Sequence, residues 1–215
     1  TAFSSNDAWF NAIDIGWQAD WSSFCSDPIF QPQTKDELKT AVDMWIDDNA
    51  NALSTYGEIN TWDVSLITDM SSMFQGKSEF NGNISSWDVS SVSNMQQMFY
   101  GVSNFDIDIS NWDVSSVTTM QSMFAESNNF SPDISSWDVS NVTNMLRMFQ
   151  NSDFNAAIGS WDVSNVTNMG YLLFGTNFNH DISNWDVSNV SQMNEMFSEN
   201  FVFNLIMRVT NNTGY

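Results

Sequence analysis

Six aspartates recur at one place in a repeated motif: Asp63, Asp88, Asp113, Asp138, Asp162 and Asp186. Each is followed two positions later by a serine: Ser65, Ser90, Ser115, Ser140, Ser164 and Ser188. Carboxylates in one row have two uses. They can hold a divalent cation such as Ca²⁺, or each can close its own turn by accepting hydrogen bonds from the serine two residues on. Charges ~4.8 Å apart repel by about 1 kcal/mol in water and several times that near a protein surface. Five neighbouring pairs would then cost about 5 kcal/mol or more, comparable with a whole domain's stability. Bound Ca²⁺, ambient salt or turn hydrogen bonds must offset that repulsion. No EF-hand loop is present, and the D-x-D at Asp106 and Asp108 is unrepeated.

Other chemistry is sparse. A single Cys and a single His exclude His/Cys metal clusters and any disulfide within one chain. His180 sits in a variable loop where other copies carry Gly82, Ile107, Pro132 or Ala156, which reads as a surface histidine. No nucleophile elbow, P-loop or dinucleotide fingerprint occurs, so the expectation is that the chain is not an enzyme. Cys25, beside Trp21 and Phe24, is either a buried thiol or a candidate for an intermolecular disulfide. Asn83, Asn129, Asn141, Asn165, Asn189 and Asn211 each begin an N-x-[ST] sequon and are candidate glycosylation sites. Together with a start at Thr1, which fits a processed product, they point to a secreted or cell-surface protein. Five basic residues against 26 acidic ones give a net charge of −21 in 215 residues, which argues against nucleic acid and anionic lipid as partners. No apolar run is long enough to span a membrane.

The elements that must position the aspartates are repeats. W-D-V-S starts at Trp62, Trp87, Trp112, Trp137, Trp161 and Trp185, at spacings of 25, 25, 25, 24 and 24 residues. Such a period predicts a solenoid in which each coil covers its neighbour's apolar face. Trp87 and Val89 alternate with Asp88 and Ser90, a strand period. Val92, Met95, Met98 and Phe99 recur at three and four, which suits a helical or 3₁₀ return. The expected fold is therefore a leucine-rich-repeat-like solenoid of about six coils. It would have a short parallel β-sheet, helical returns, a core ladder of the six tryptophans and a helical N-terminal cap. Leu172 and Leu173 replace Met-Phe in the fifth unit and remain apolar.

Four regions follow. Residues 1–33 form an aromatic-rich arm, and residues 34–58 hold an amphipathic helix over 35–48 that caps the first coil. Residues 59–200 are the repeats, and 201–215 a strand and tail. Thr34 and Glu37 have capping-box spacing, and Leu38, Val42, Trp45 and Ile46 share one helix face.

Units such as F-N-G-N-I-S-S-W-D-V-S-S-V-S-N-M-Q-Q-M-F, from Phe80 to Phe99, closely resemble the BspA-like leucine-rich-repeat surface proteins. The likeness is to the variant found in mycoplasma lipoproteins and in many marine algae and protists. The lead-in T-K-D-E-L-K-T-A-V-D-M-W, from Thr34 to Trp45, resembles the segment preceding such arrays, and coverage is about residues 34–200. The resemblance implies an extracellular solenoid used in adhesion or surface structure, with no enzymatic activity. Two functions are expected: a structural subunit of a homomeric assembly or filament, or an adhesion module for a glycan or protein. Ice binding would need a flat, weakly charged Thr face, which the Asp row spoils.

Overall fold

The structure is a computed structural model and describes residues 29–105, 107–130 and 132–200. The N-terminal arm up to residue 28, the strand expected over 201–210, Cys25 and Asn211 lie outside the described residues.

Helix α1 spans Lys35–Asp47 and helix α2 spans Asn49–Tyr56, followed by a 3₁₀ turn at Ile59–Thr61. Thr34 Oγ1 accepts from the Glu37 amide at 3.2 Å, and Glu37 Oε2 accepts from the Gln33 amide at 2.7 Å. The two side chains thus use free amides at the helix start in both directions, one residue wider than a strict capping box. Asp48 ends α1 and caps α2, its carboxylate accepting from the Asn51 amide at 3.3 Å. Leu38, Ala41 and Val42 are buried in the common core, with Trp45 and Ile46 packed beside them. Residues 30 and 31 reach the first coil: Phe30 O accepts from the Asp63 amide, and Gln31 Nε2 donates to Asp63 Oδ2.

The leucine-rich-repeat-like β-sheet solenoid expected from the sequence is not what the repeats form. Among the described residues there are two α-helices, one 3₁₀ turn and no β-strand. Trp87–Ser90 is not a strand, and the return from 92 to 101 holds a single bridge at Asn94 and turns over 96–101 rather than a helix. The only β-pairing between successive described units is a single parallel bridge at each junction, Asp69↔Asn94, Asn94↔Thr119, Thr119↔Asn144, Asn144↔Asn168 and Asn168↔Gln192.

The reason is a division of the amides. In the first unit, Met70, Ser72, Phe74 and Gly76 donate to the Asn94, Gln96, Met98 and Tyr100 carbonyls of the next. The intervening amides turn inward: Met73 to Met70, Gln75 to Ser72 and Lys77 to Phe74. A strand cannot extend when every second amide closes a local turn. Those turns place their third residue in the left-handed region, at Ser72 (φ 57°), Gln97 (56°), Ser122 (53°), Arg147 (59°), Tyr171 (56°) and Glu195 (53°). No β-branched residue stands in that column, as the sterics require. The apolar spacing of three and four therefore reports overlapping turns, not a helix.

The core between these turns is aromatic and close-packed. Phe74, Phe99, Phe124 and Phe149 stack at 5.3, 5.6 and 6.0 Å with interplanar angles of 3–5°. A second column, Phe80, Phe105, Phe130, Phe154 and Phe178, runs beside it at 6.2–6.4 Å. The columns touch within each unit, as in Phe124–Phe130 at 3.7 Å. Leu173 takes the fifth place in the first column and stays fully buried.

Candidate functional site

The row of aspartates is the reading with most chemistry in it, and its geometry is that of turns. Asp63, Asp88 and Asp113 each accept from both the amide and the hydroxyl of the serine two residues on, at 3.0–3.1 and 2.6 Å. Asp138, Asp162 and Asp186 accept the Ser140, Ser164 and Ser188 amides at 3.0 Å. The Ser65 hydroxyl and amide hold Asp63 below the ordinary carboxylate range, as Ser115 does Asp113. For Asp186 the Ser188 amide and hydroxyl outweigh burial and the opposing charge of Asp162 one unit away. At Asp186 the repulsion from the next aspartate in the row is thus outweighed by the bonds of its own turn.

The same device recurs at two further positions of the repeat, in four units each, where the sequence reading missed it. Asn83, Asp108, Asp133 and Asp181 accept from the amides of Ser85, Ser110, Ser135 and Ser183. Asp69, Asn94, Asn144 and Asn168, which form the parallel bridges, accept from the amides two residues on at 2.7–3.0 Å. The recurrent D-I-S at Asp108, Asp133 and Asp181 was the available signal, since it repeats the spacing of D-V-S.

Among the described residues no group of three His, Cys, Asp or Glu side chains gathers to hold a metal ion. With the row's carboxylates bonded to their own turns, NaCl and CaCl₂ at equal ionic strength are expected to raise the melting temperature equally, through screening alone. A further rise with CaCl₂, followed by calorimetry, would mean that the row binds calcium. Acid should act differently. Asp63, Asp113 and Asp186 have lowered native pKa values. What they contribute is complete above the unfolded Asp pKa of about 3.9 and is lost as pH falls through the native values. Melting temperature should hold steady above about pH 5 and fall below about pH 4; a rise on acidification would show that relief of net charge dominates.

The six tryptophans lie in the core, 3–8% exposed, and do more than fill it. Trp87, Trp112, Trp137, Trp161 and Trp185 donate Nε1–H to the Ile59, Ile84, Ile109, Ile134 and Ile158 carbonyls of the preceding unit, at 2.9–3.3 Å. Trp62, with no unit before it, donates to Gly57 O at 3.3 Å. Among the sequon asparagines, Asn141, Asn165 and Asn189 donate Nδ2–H to the Ser115, Ser140 and Ser164 carbonyls, and Asn129 donates to Ser103 O. Asn83 instead accepts from Ser85. His180 Nε2 lies 2.8 Å from Asn155 O, so the structure brings it to a loop carbonyl and not to a nucleophile.

No helix among the described residues is long and apolar enough to cross a membrane. No curated protein and no solved structure shows a significant match to this chain. A family model described as "Mycoplasma protein of unknown function, DUF285" matches residues 42–153 and again residues 128–212, covering the repeats in two overlapping stretches. The chain therefore belongs to this DUF285 family of proteins of unknown function.

Proposed function

We propose that this chain is an extracellular structural protein, a non-enzymatic subunit of a homomeric surface assembly or filament. The observation that carries the reading is the unlike treatment of the two ends of the stack. At the first unit α1 lays Leu38, Ala41 and Val42 over the core, all fully buried. At the last unit Val187 and Met193 are 40% and 42% exposed, whereas Val163 and Met169 one unit earlier are 1% and 0% exposed. Apolar side chains exposed on the last described unit of a chain of charge −21 are suited to contact with another molecule once salt screens the charge. The sequons and the resemblance of the repeats to BspA-like surface proteins support an extracellular setting.

A second reading, adhesion to a glycan or protein, is favoured by the exposed column Thr118, Thr143 and Thr167. Their hydroxyls are already spent on the Ser93, Thr118 and Thr143 carbonyls, so the column offers a ligand only oxygen lone pairs and methyl groups. Light scattering on the full-length chain at ~0.5 M salt, with calcium present, separates the two. Species larger than a monomer are expected; a monomer at high concentration would sink the assembly reading and leave the adhesin.

A further inference from the structure

Of the sequon asparagines that the structure describes, all but one spend their side-chain nitrogen inside the fold. Asn141, Asn165 and Asn189 stand at one place in successive units. They donate Nδ2–H to the carbonyls of Ser115, Ser140 and Ser164 in the unit before, at 2.8, 2.8 and 2.7 Å. Asn129 donates to Ser103 O at 3.0 Å, while its own amide is fixed to Asp153 and its backbone is left-handed at φ 64°. Asn83 differs. It is exposed, and its oxygen accepts from the Ser85 amide at 3.1 Å and the Ser85 hydroxyl at 2.8 Å. No described residue accepts from its Nδ2.

The other units show that this nitrogen carries nothing in the fold. Asp108, Asp133 and Asp181 take the same place, and each accepts from the serine amide two residues on. An oxygen is all the turn requires. At 141, 165 and 189 the reverse holds: the nitrogen makes the tie, and an aspartate there would have none. Spacing separates the two places as well. Successive units lie ~4.8 Å apart where their backbones bond, too close for sugars on neighbouring asparagines to stand side by side. Asn83 has no such neighbour, since the matching places before and after it are Glu58 and Asp108.

We propose that Asn83 is the N-glycosylation site of the folded repeats, with a lipid-linked oligosaccharide as the donor. In that transfer Nδ2 gives up one hydrogen and bonds the anomeric carbon. The anomeric C–O bond breaks, the lipid diphosphate leaves with its electron pair, and the transferase takes the proton. The two hydrogen bonds from Ser85 to Oδ1 polarise the carboxamide and make the Nδ2 hydrogens more acidic. The glycan stands beside α1, because a Cβ added at Gly82 would come within 3.1 Å of the Trp45 indole nitrogen. The proposal rests on the extracellular part of the reading above, since a chain meets such a donor on a secretory route.

The test gives the full chain a secretion signal in a eukaryotic host and reads occupancy at each sequon by peptide mass spectrometry. Asn83 is expected to be occupied in most molecules and the asparagines at 141, 165 and 189 in few. An empty Asn83, or one less occupied than those three, overturns the proposal. Because the signal is supplied, that result leaves the extracellular reading untouched. A second arm uses chains made without glycan. N83D keeps the turn oxygen and should shift the melting temperature by no more than about 1 °C. N165D adds the same charge but loses the bond to Ser140 O, and should lower it by about 3 °C or more. Equal shifts would show that the two nitrogens are equally dispensable, which overturns the distinction that singles out Asn83.

Discussion

Replacing Trp137 with alanine should lower the melting temperature by about 6–20 °C, while Asp138→Asn should move it by no more than about 2 °C. Trp137 is 4% exposed, and its indole donates to Ile109 O at 3.1 Å across the junction. Truncation leaves a cavity worth about 3–5 kcal/mol. It also removes a polar tie, although Ile109 O keeps its second bond from the Trp112 amide. Trp137→Phe should therefore lose much less than the alanine variant, since most of the volume remains. Asparagine at 138 still offers an oxygen to the Ser140 amide, so the turn survives. Differential scanning calorimetry decides, and equal losses at 137 and 138 would mean that the outer turns, not the indoles, hold the units together.

The second large effect is expected at the centre of the phenylalanine columns. Phe124 is fully buried, 5.6 Å from Phe99, 6.0 Å from Phe149 and 3.7 Å from Phe130. Phe124→Ala should cost about 3–5 kcal/mol. Phe124→Leu should cost under about 1.5 kcal/mol, because volume is nearly kept and Leu173 already fills this place in the fifth unit. Chemical denaturation of both variants checks this; a leucine variant as unstable as the alanine one would show that ring stacking, rather than filled space, sets the stability of the column.

What the sequence made legible was the period and the inside. Trp, Val, Met and Phe positions within W-D-V-S-x-V-x-x-M-x-x-M-F are all buried through the fifth unit, and the helix at 35–48 is present as Lys35–Asp47. What it hid was the backbone. Alternation at Trp87–Val89 looks like a strand because both patterns bury every second side chain. Yet Asp88 and Ser90 use their polar groups to close a turn, and left-handed Gln97 prevents the helix that Met95, Met98 and Phe99 suggest. Apolar spacing reports which residues face inward; it is silent on where each amide goes, and here the amides decide the architecture. The aspartate row was found by counting, but its role depended on hydrogen-bond direction that spacing alone does not carry. The tie from each indole to the preceding unit was equally invisible, since a buried Trp reads only as bulk.

The single-residue bridges have a mechanical meaning. Each junction is held by bonds that run from one unit to the next, such as Ser72 to Gln96 and Thr143 Oγ1 to Thr118 O, with no long strand to share the load. Tension applied between the two ends of the stack would act on the junctions in series, each with nearly the same set of bonds. A chain built this way yields one unit at a time. Each yield pays out 24 or 25 residues, up to about 85 Å of contour. The stack would behave under load as a row of similar weak links that lengthen before the chain itself is strained.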